Sequence, residues 1–385
     1  MLTKNFSFKD FNKKKENQKL KKYLKEILTS KSEIIKSLSN NYDYNYKKKF
    51  VQKLKRFKDV RVFGMGGSVL GANAIYDFLN YKIKKNFYFL SNLNRRKFPL
   101  NKKYLNLVIS KSGNTLETIV NSNIYINKND KNILVTDKKL NTLRNIGQKL
   151  KFEIVDHNNF IGGRYAVLSE VGMLPAELMG LNENKFKQFN NLIKNKNFFK
   201  SIISNVSNIL ELINKKKSNS VILNYDETAD NFLKWYQQLV AESLGKKGKG
   251  VFPIISTMPK DNHSLMQLYL DGPKNNFYTF FHTQEKLSLK INSNMIRDSQ
   301  KFLKNKNLND ILSSQILATQ KVFKLKKIPF RSFLIKNKKE ETLGELFSFF
   351  IIENILLAKA LKINPYDQPS VELIKNQTIK NLLNS

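Results

Sequence analysis

LNLVISKSGNTLETIV, residues 105–120, changes its periodicity partway along, and that change decides the fold. Leu105–Ile109 is an apolar run of strand length, whereas "LETIVNSNIY" from Leu116 carries helical spacing. Between them lies a turn with hydroxyls at Ser110, Ser112 and Thr115, and a fourth, Thr118, in the first helical turn. Backbone N–H groups and the positive end of a helix dipole meet at such a turn, which suits an anion. Gly113 and Asn114 tolerate the backbone angles required. Capping alone does not call for so many hydroxyls. No Gly-Lys-Ser/Thr closes a longer loop, so the expected ligand is a small phosphomonoester rather than a nucleoside triphosphate.

The same strand-to-helix alternation extends in both directions. "VRVFGMG", "NFYFLSN" and "KNILVTD" read as strands, and "SVLGANAIYDFL" and "LNTLRNIGQKL" as helices. After a polar stretch a second series begins, with strands "SVILNYD", "FYTFFHT" and "IPFRSFLIK" and the helix "NFLKWYQQLVAESLGK". Short apolar strands alternating with helices predict an α/β protein of two tandem doubly wound parallel sheets. The expected boundaries are a helical segment over 1–45, a first domain over 46–200, a second over 201–362, and a C-terminal helix over 363–385.

Composition narrows the function. The 385-residue chain has no cysteine, which excludes disulfides and thiolate chemistry, and its three histidines lie too far apart for a zinc site. Formal net charge is +37, but 60 of the 68 basic residues are Lys and only 8 are Arg. Base edges and phosphates are read chiefly by Arg, so the evenly spread Lys excess reads as compositional drift and no nucleic-acid partner is expected. "LFSFFIIENILLAKAL" (346–361) carries Glu353, Asn354 and Lys359 and is too short to span a bilayer, so it is expected to be a buried helix. The N-terminal residues have no apolar core of a signal peptide, and a cytoplasmic location without membrane partners is expected.

Five further segments carry candidate chemistry. "FGMGGSVLGA" (63–72) places Gly66, Gly67 and Ser68 between a strand and a helix, with Ser68 the expected N-cap. It is not a dinucleotide fingerprint, because the third glycine of GxGxxG would fall on Val69. "GGRYAVLSEVGMLPA" (162–176) sets Arg164 after a pair of glycines, and an Arg kept in a lysine-rich chain suggests a need for the planar, permanently charged fork. In "WYQQLVAESLGKKGKG" (235–250), Gln238 and Glu242 share one helix face, and Glu242 is a candidate base. "TMPKDNHSLMQLYLDGP" (257–273) holds His263 at a loop-to-helix junction. "NPYDQPSVELIKNQ" (364–377) places Gln368, Glu372 and Lys375 near the start of the last helix.

Read in order, GMGGSxLG, SKSGNTxET, GGRYxxxSxxG, QxxxESxGK, NHSxxQLxxxGP and DQxxVExxK resemble the glucose-6-phosphate isomerase family, over residues 63–375. The resemblance implies two SIS-type (sugar isomerase) domains and interconversion of glucose 6-phosphate and fructose 6-phosphate. It implies that Ser110, Lys111, Ser112, Thr115 and Thr118 hold the phosphate and that Gly67 and Ser68 wall the sugar. Glu242 matches the base that moves a proton between C1 and C2, and Arg164 the cation that stabilises the enediolate. His263 and Lys375 match residues of ring opening, Gln238 and Gln368 line the pocket, and the role of Glu117 is left open. No cofactor or metal is implied. In this family the histidine comes from the neighbouring subunit, so a homodimer is implied too. The SGNT wording is shared with bifunctional phosphoglucose/phosphomannose isomerases, which keeps mannose 6-phosphate as an alternative substrate. A non-catalytic sugar-phosphate regulator of SIS type would have no need of Glu242, His263 and Lys375 together.

Overall fold

The computed structural model describes the chain apart from residues 1, 12–15, 94, 100–101, 128, 285–287 and 385. Among the described residues ten strands form two five-stranded sheets. The first contains β2 (Asp59–Phe63), β3 (Asn86–Leu90), β4 (Leu105–Ile109), β5 (Lys131–Asp137) and β6 (Glu153–His157). They lie in the order β3-β2-β4-β5-β6 with every pair parallel. The second is ordered β1-β10-β9-β7-β8, from β1 (Phe6–Lys9), β7 (Asn219–Asn224), β8 (Phe252–Thr257), β9 (Asn276–Thr283) and β10 (Phe330–Ile335). There β1 alone is antiparallel, pairing Phe6 with Ile335 at the sheet edge.

Helices cover the faces. They are α1 (Gln18–Leu28), α2 (Glu33–Leu38), α3 (Lys48–Leu54), α4 (Leu70–Phe78), α5 (Leu116–Tyr125), α6 (Thr142–Lys149) and α7 (Glu170–Leu178). The second half adds α8 (Phe189–Ile193), α9 (Lys196–Asn214), α10 (Asp230–Leu244), α11 (Met266–Asp271), α12 (Leu308–Leu325), α13 (Glu340–Ala360) and α14 (Val371–Leu383). Burial on both faces explains why β4 reads as five consecutive core residues instead of an alternation. The strand order reverses between β2 and β4, and in an open parallel sheet the crevice for a ligand lies beyond the carboxyl ends of the strands at that point. The GMGG turn follows β2 and the hydroxyl turn follows β4. They touch so closely that a Cβ on Gly64 would lie 2.8 Å from the Ile109 carbonyl oxygen.

The two halves share a core. Leu105 and Leu107 of the first sheet belong to the same apolar cluster as Phe333 and Ile335 of the second. Helix α13 is buried along nearly its whole length, and among the described residues no helix is long and apolar enough to cross a membrane. Its charges are matched inside: Glu353 meets Arg331 and Asn205, and Arg331 Nε also donates to Thr279 Oγ1 at 3.0 Å. A buried ion pair with its remaining donors satisfied lets a carboxylate sit in a core helix.

The structure departs from expectation at three places. The N-terminal segment is not wholly helical, because Phe6 and Phe8 alternate in strand β1 and stack on Phe333 of β10. Strands β6 and β8 join the two sheets where no strand is anticipated from their mixed sequences. Ser68 closes a short 3-10 turn (Gly66–Ser68) instead of capping α4, whose N-cap is Val69 and has no side-chain cap. Against these, α1 does pack as a helix on the body, through Leu20, Leu24 and Ile27.

Candidate active site

Three segments meet beside the switch point of the first sheet. The GMGG turn faces the turn at Gly162–Arg164 backbone to backbone: a Cβ on Gly67 would fall 2.2 Å from the Gly163 carbonyl carbon. Only a residue with no side chain permits that approach. Gly66, at φ +50°, abuts α10, where a Cβ would lie 2.6 Å from Gln238 Nε2. The i, i+4 spacing on α10 then brings Gln238 Nε2 to Glu242 Oε1 at 2.8 Å.

Arg164 completes the cluster. It is 2% exposed, and its Nε lies 3.1 Å from Glu242 Oε2, an ion pair without an aligned hydrogen bond. Nη1 donates to the carbonyls of Pro365 at 3.3 Å and Asp367 at 3.5 Å, and Nη2 to Asp367 at 3.4 Å and to the Gln368 side-chain oxygen. Glu242 is 27% exposed, so one side of the carboxylate is open. The neighbouring Tyr165 hydroxyl donates to the Pro365 carbonyl at 3.1 Å and lies 2.8 Å from Ser243 Oγ, and burial pushes it well above the usual phenol range. Thus Arg164, Glu242, Gln238, Gln368 and Gly67 converge, with Ser68 the next residue along the same turn.

The hydroxyl turn is built by its own side chains. Ser110 Oγ lies 3.1 Å from Thr115 Oγ1 and accepts the Gly113 N–H at 3.2 Å; Ser112 Oγ accepts the Asn114 N–H at 3.3 Å. Gly113 adopts φ +64° with Asn141 pressed against it, so a Cβ there would collide with Asn141 Oδ1. Thr115 is the N-cap of α5 and makes no side-chain cap bond. Lys111 turns aside: its Nζ donates to the Asn159 carbonyl at 2.7 Å, and burial draws the amine below its ordinary range against the pull of Asp137. Buried polar atoms are normally paired. Thr118 Oγ1, Gln238 Oε1 and Arg164 Nε are buried here without a hydrogen-bond partner among the described residues.

His263 and Lys375 do not reach this cluster. His263 is exposed on the turn after β8, and Lys375 is 55% exposed on α14 with its Nζ 2.6 Å from Glu372. No hydrogen bond or ion pair joins either to Glu242 among the described residues. Asp261, which the sequence does not single out, shapes the histidine turn by accepting from Ser256 Oγ at 2.8 Å, the Thr257 N–H at 2.7 Å and Ser264 Oγ at 2.9 Å. Its burial alone would raise the carboxyl, yet those donors hold it below the usual range. Tyr165 and Lys246 stand in the GGRY and ESxGK segments but receive no role from the sequence. Their side chains bond across the chain, Tyr165 to Pro365 and Lys246 to Asn364 and Asp367.

The first sheet thus carries a hydroxyl-lined turn at its switch point, and a carboxylate paired with a buried guanidinium lies nearby. Comparison with known proteins supplies the family. Residues 22–384 match the family described as Phosphoglucose isomerase, and the chain belongs to that family. It is 32% identical over 352 residues to a glucose-6-phosphate isomerase of Methanocaldococcus jannaschii, covering 86% of this chain and 85% of that one. A glucose-6-phosphate isomerase of Mycoplasmopsis pulmonis is 31% identical over 382 residues, covering 90% and 88%. Among solved structures, a hypothetical protein from Thermus thermophilus shares the fold, with a TM-score of 0.80 at 20% identity over 95% of this chain and 94% of that one.

Proposed function

We propose that Glu242 and Arg164 carry the proton transfer in a reaction that interconverts D-glucose 6-phosphate and D-fructose 6-phosphate. The isomerase names of the relatives favour this reaction over dual mannose specificity or a regulatory role. In the opened aldose the C2 hydrogen is a very weak acid. Glu242 removes that proton, the electron pair moves onto O1 to give a cis-enediolate, the hydroxyl proton passes from O2 to O1, and the carboxylic acid returns the carbon-bound proton to C1 as C2 becomes the carbonyl. The developing oxyanion needs a cation fixed before it forms, and Arg164 is held beside the base for that purpose. The observation that carries this reading is the 3.1 Å approach of the buried guanidinium to a carboxylate that is still partly open.

Ser110, Ser112, Thr115 and Thr118, with Lys111 in the same loop, are assigned to the phosphate. The Ser110–Thr115 and Ser110–Gly113 bonds support this by fixing the loop's shape before a ligand arrives. Binding a group remote from the reacting carbons supplies positioning for the transition state. Gly67 and Ser68 wall the sugar, Gln238 and Gln368 line the pocket, and His263 and Lys375 open the ring. The exposure of His263 supports its delivery to the site of a neighbouring copy, and we assign a homodimer working in the cytoplasm.

The test is turnover of fructose 6-phosphate coupled to oxidation of the glucose 6-phosphate formed. Glu242→Gln is expected to lower kcat by at least ~100-fold, the scale of general base catalysis. Full activity in that variant would remove Glu242 from the mechanism.

A further inference from the structure

We propose that Lys246 is a positioning residue that acts through Arg164, latching the loop at 361–368 so that the guanidinium points at Glu242. The inference rests on the role of Arg164 given above. Lys246 follows α10 directly after Gly245, four residues beyond Glu242. Its side chain is 12% exposed; Nζ donates to the Asn364 carbonyl at 2.5 Å and pairs with Asp367 Oδ1 at 2.7 Å. One ammonium therefore holds both ends of the Asn364–Asp367 turn. Inside that turn Asn364 Nδ2 donates to Asp367 Oδ2 at 3.0 Å, and Asn364 Oδ1 accepts the Tyr366 N–H at 3.1 Å. Lys249 Nζ adds a bond to the Leu361 carbonyl at 3.1 Å.

What this turn presents to the site is the whole seat of Arg164. The carbonyls of Pro365 and Asp367 and the side chain of Gln368 take both terminal nitrogens, which leaves Nε toward Glu242. Beyond the latch, the loop runs into α14, which buries no residue. A guanidinium mis-set by a fraction of an ångström stabilises a developing oxyanion poorly, although the sugar phosphate still binds.

Kinetics of Lys246→Met, Lys246→Arg, Arg164→Lys and the Lys246→Met/Arg164→Lys double variant test the latch. Lys246→Met should lower kcat by about tenfold or more, with KM for fructose 6-phosphate within about twofold. Lys246→Arg should recover most of the loss, since a guanidinium also reaches the carboxylate and the carbonyl. In the Arg164→Lys background, Lys246→Met should cost nothing further. Asp367→Asn, on an exposed residue where folding is not at stake, should reproduce part of the kcat loss. Full kcat in Lys246→Met and in Asp367→Asn while Arg164→Lys is impaired overturns the latch alone. The same holds if Lys246→Met costs as much in the Arg164→Lys background as in the parent. Full activity in Arg164→Lys overturns the role of Arg164 and the latch with it.

Discussion

His282, in β9, is drawn by burial from its ordinary 6.5 down to about 4. Between those values the unfolded chain holds a proton that the folded chain does not, so folding stability falls as pH drops from 6.5 towards 4. The contribution is up to about 3 kcal/mol. His282→Gln should flatten this part of the profile. Carboxylates titrate in the same window, so the measurement is the difference between variant and parent in urea unfolding at pH 5 and pH 7. An unchanged difference would mean that the imidazole stays solvated. At the same scale the site divides by what marks each residue locally. Arg164 is legible because Arg is scarce in this chain, and Glu242 because it shares a helix face with Gln238. Lys246 is one of 60 lysines, and nothing within a few residues of it shows that Asn364 and Asp367 will close on its ammonium. Distant partners leave no local trace.

Elements of strong period are readable before any coordinates. Strands β4, β5 and β7 each carry a short apolar core, and α10 carries its polar pair at i, i+4. Strand β8 is missed because Pro253 and the polar Ser256-Thr257 end mask it, and β6 because Glu153, Asp156 and His157 flank only two apolar residues. Tertiary pairing overrides local preference there. Helix α14 raises a different matter. It has no buried residue and leaves Leu373 and Ile374 more than 70% exposed, so its packing contributes little to the fold of one chain. Truncation after Ser370 should therefore move the thermal midpoint of dilute protein by no more than roughly 2 °C. Turnover should nonetheless be lost with Lys375. A truncated chain of unchanged kcat would remove Lys375 from ring opening.

At the scale of the molecule, the site residues divide into a cluster assembled within one chain and two side chains displayed on its surface. If the assigned dimer shares residues across its interface, two inactive variants can repair each other. Glu242→Gln and His263→Ala, mixed at equal amounts under conditions of subunit exchange, should recover about a quarter of parental activity, because half the dimers then contain one intact site. No recovery despite exchange shown by mass measurement would place both residues in the same copy's site. The +37 charge belongs to this scale as well. Spread along the chain, it supplies a field that favours the approach of dianionic sugars.

Strand β1 has a consequence for how the protein is made. Phe6 leaves the ribosome while its partner Ile335 is still untranslated, and the second sheet cannot acquire its outer strand until β10 has been made. Throughout that interval an aromatic segment waits unpaired at the nascent end, open to wrong partners and to chaperones. Codon changes that slow translation between β1 and β10 should lengthen this wait, and removal of residues 1–9 would leave β10 as a bare, phenylalanine-lined edge inviting aggregation.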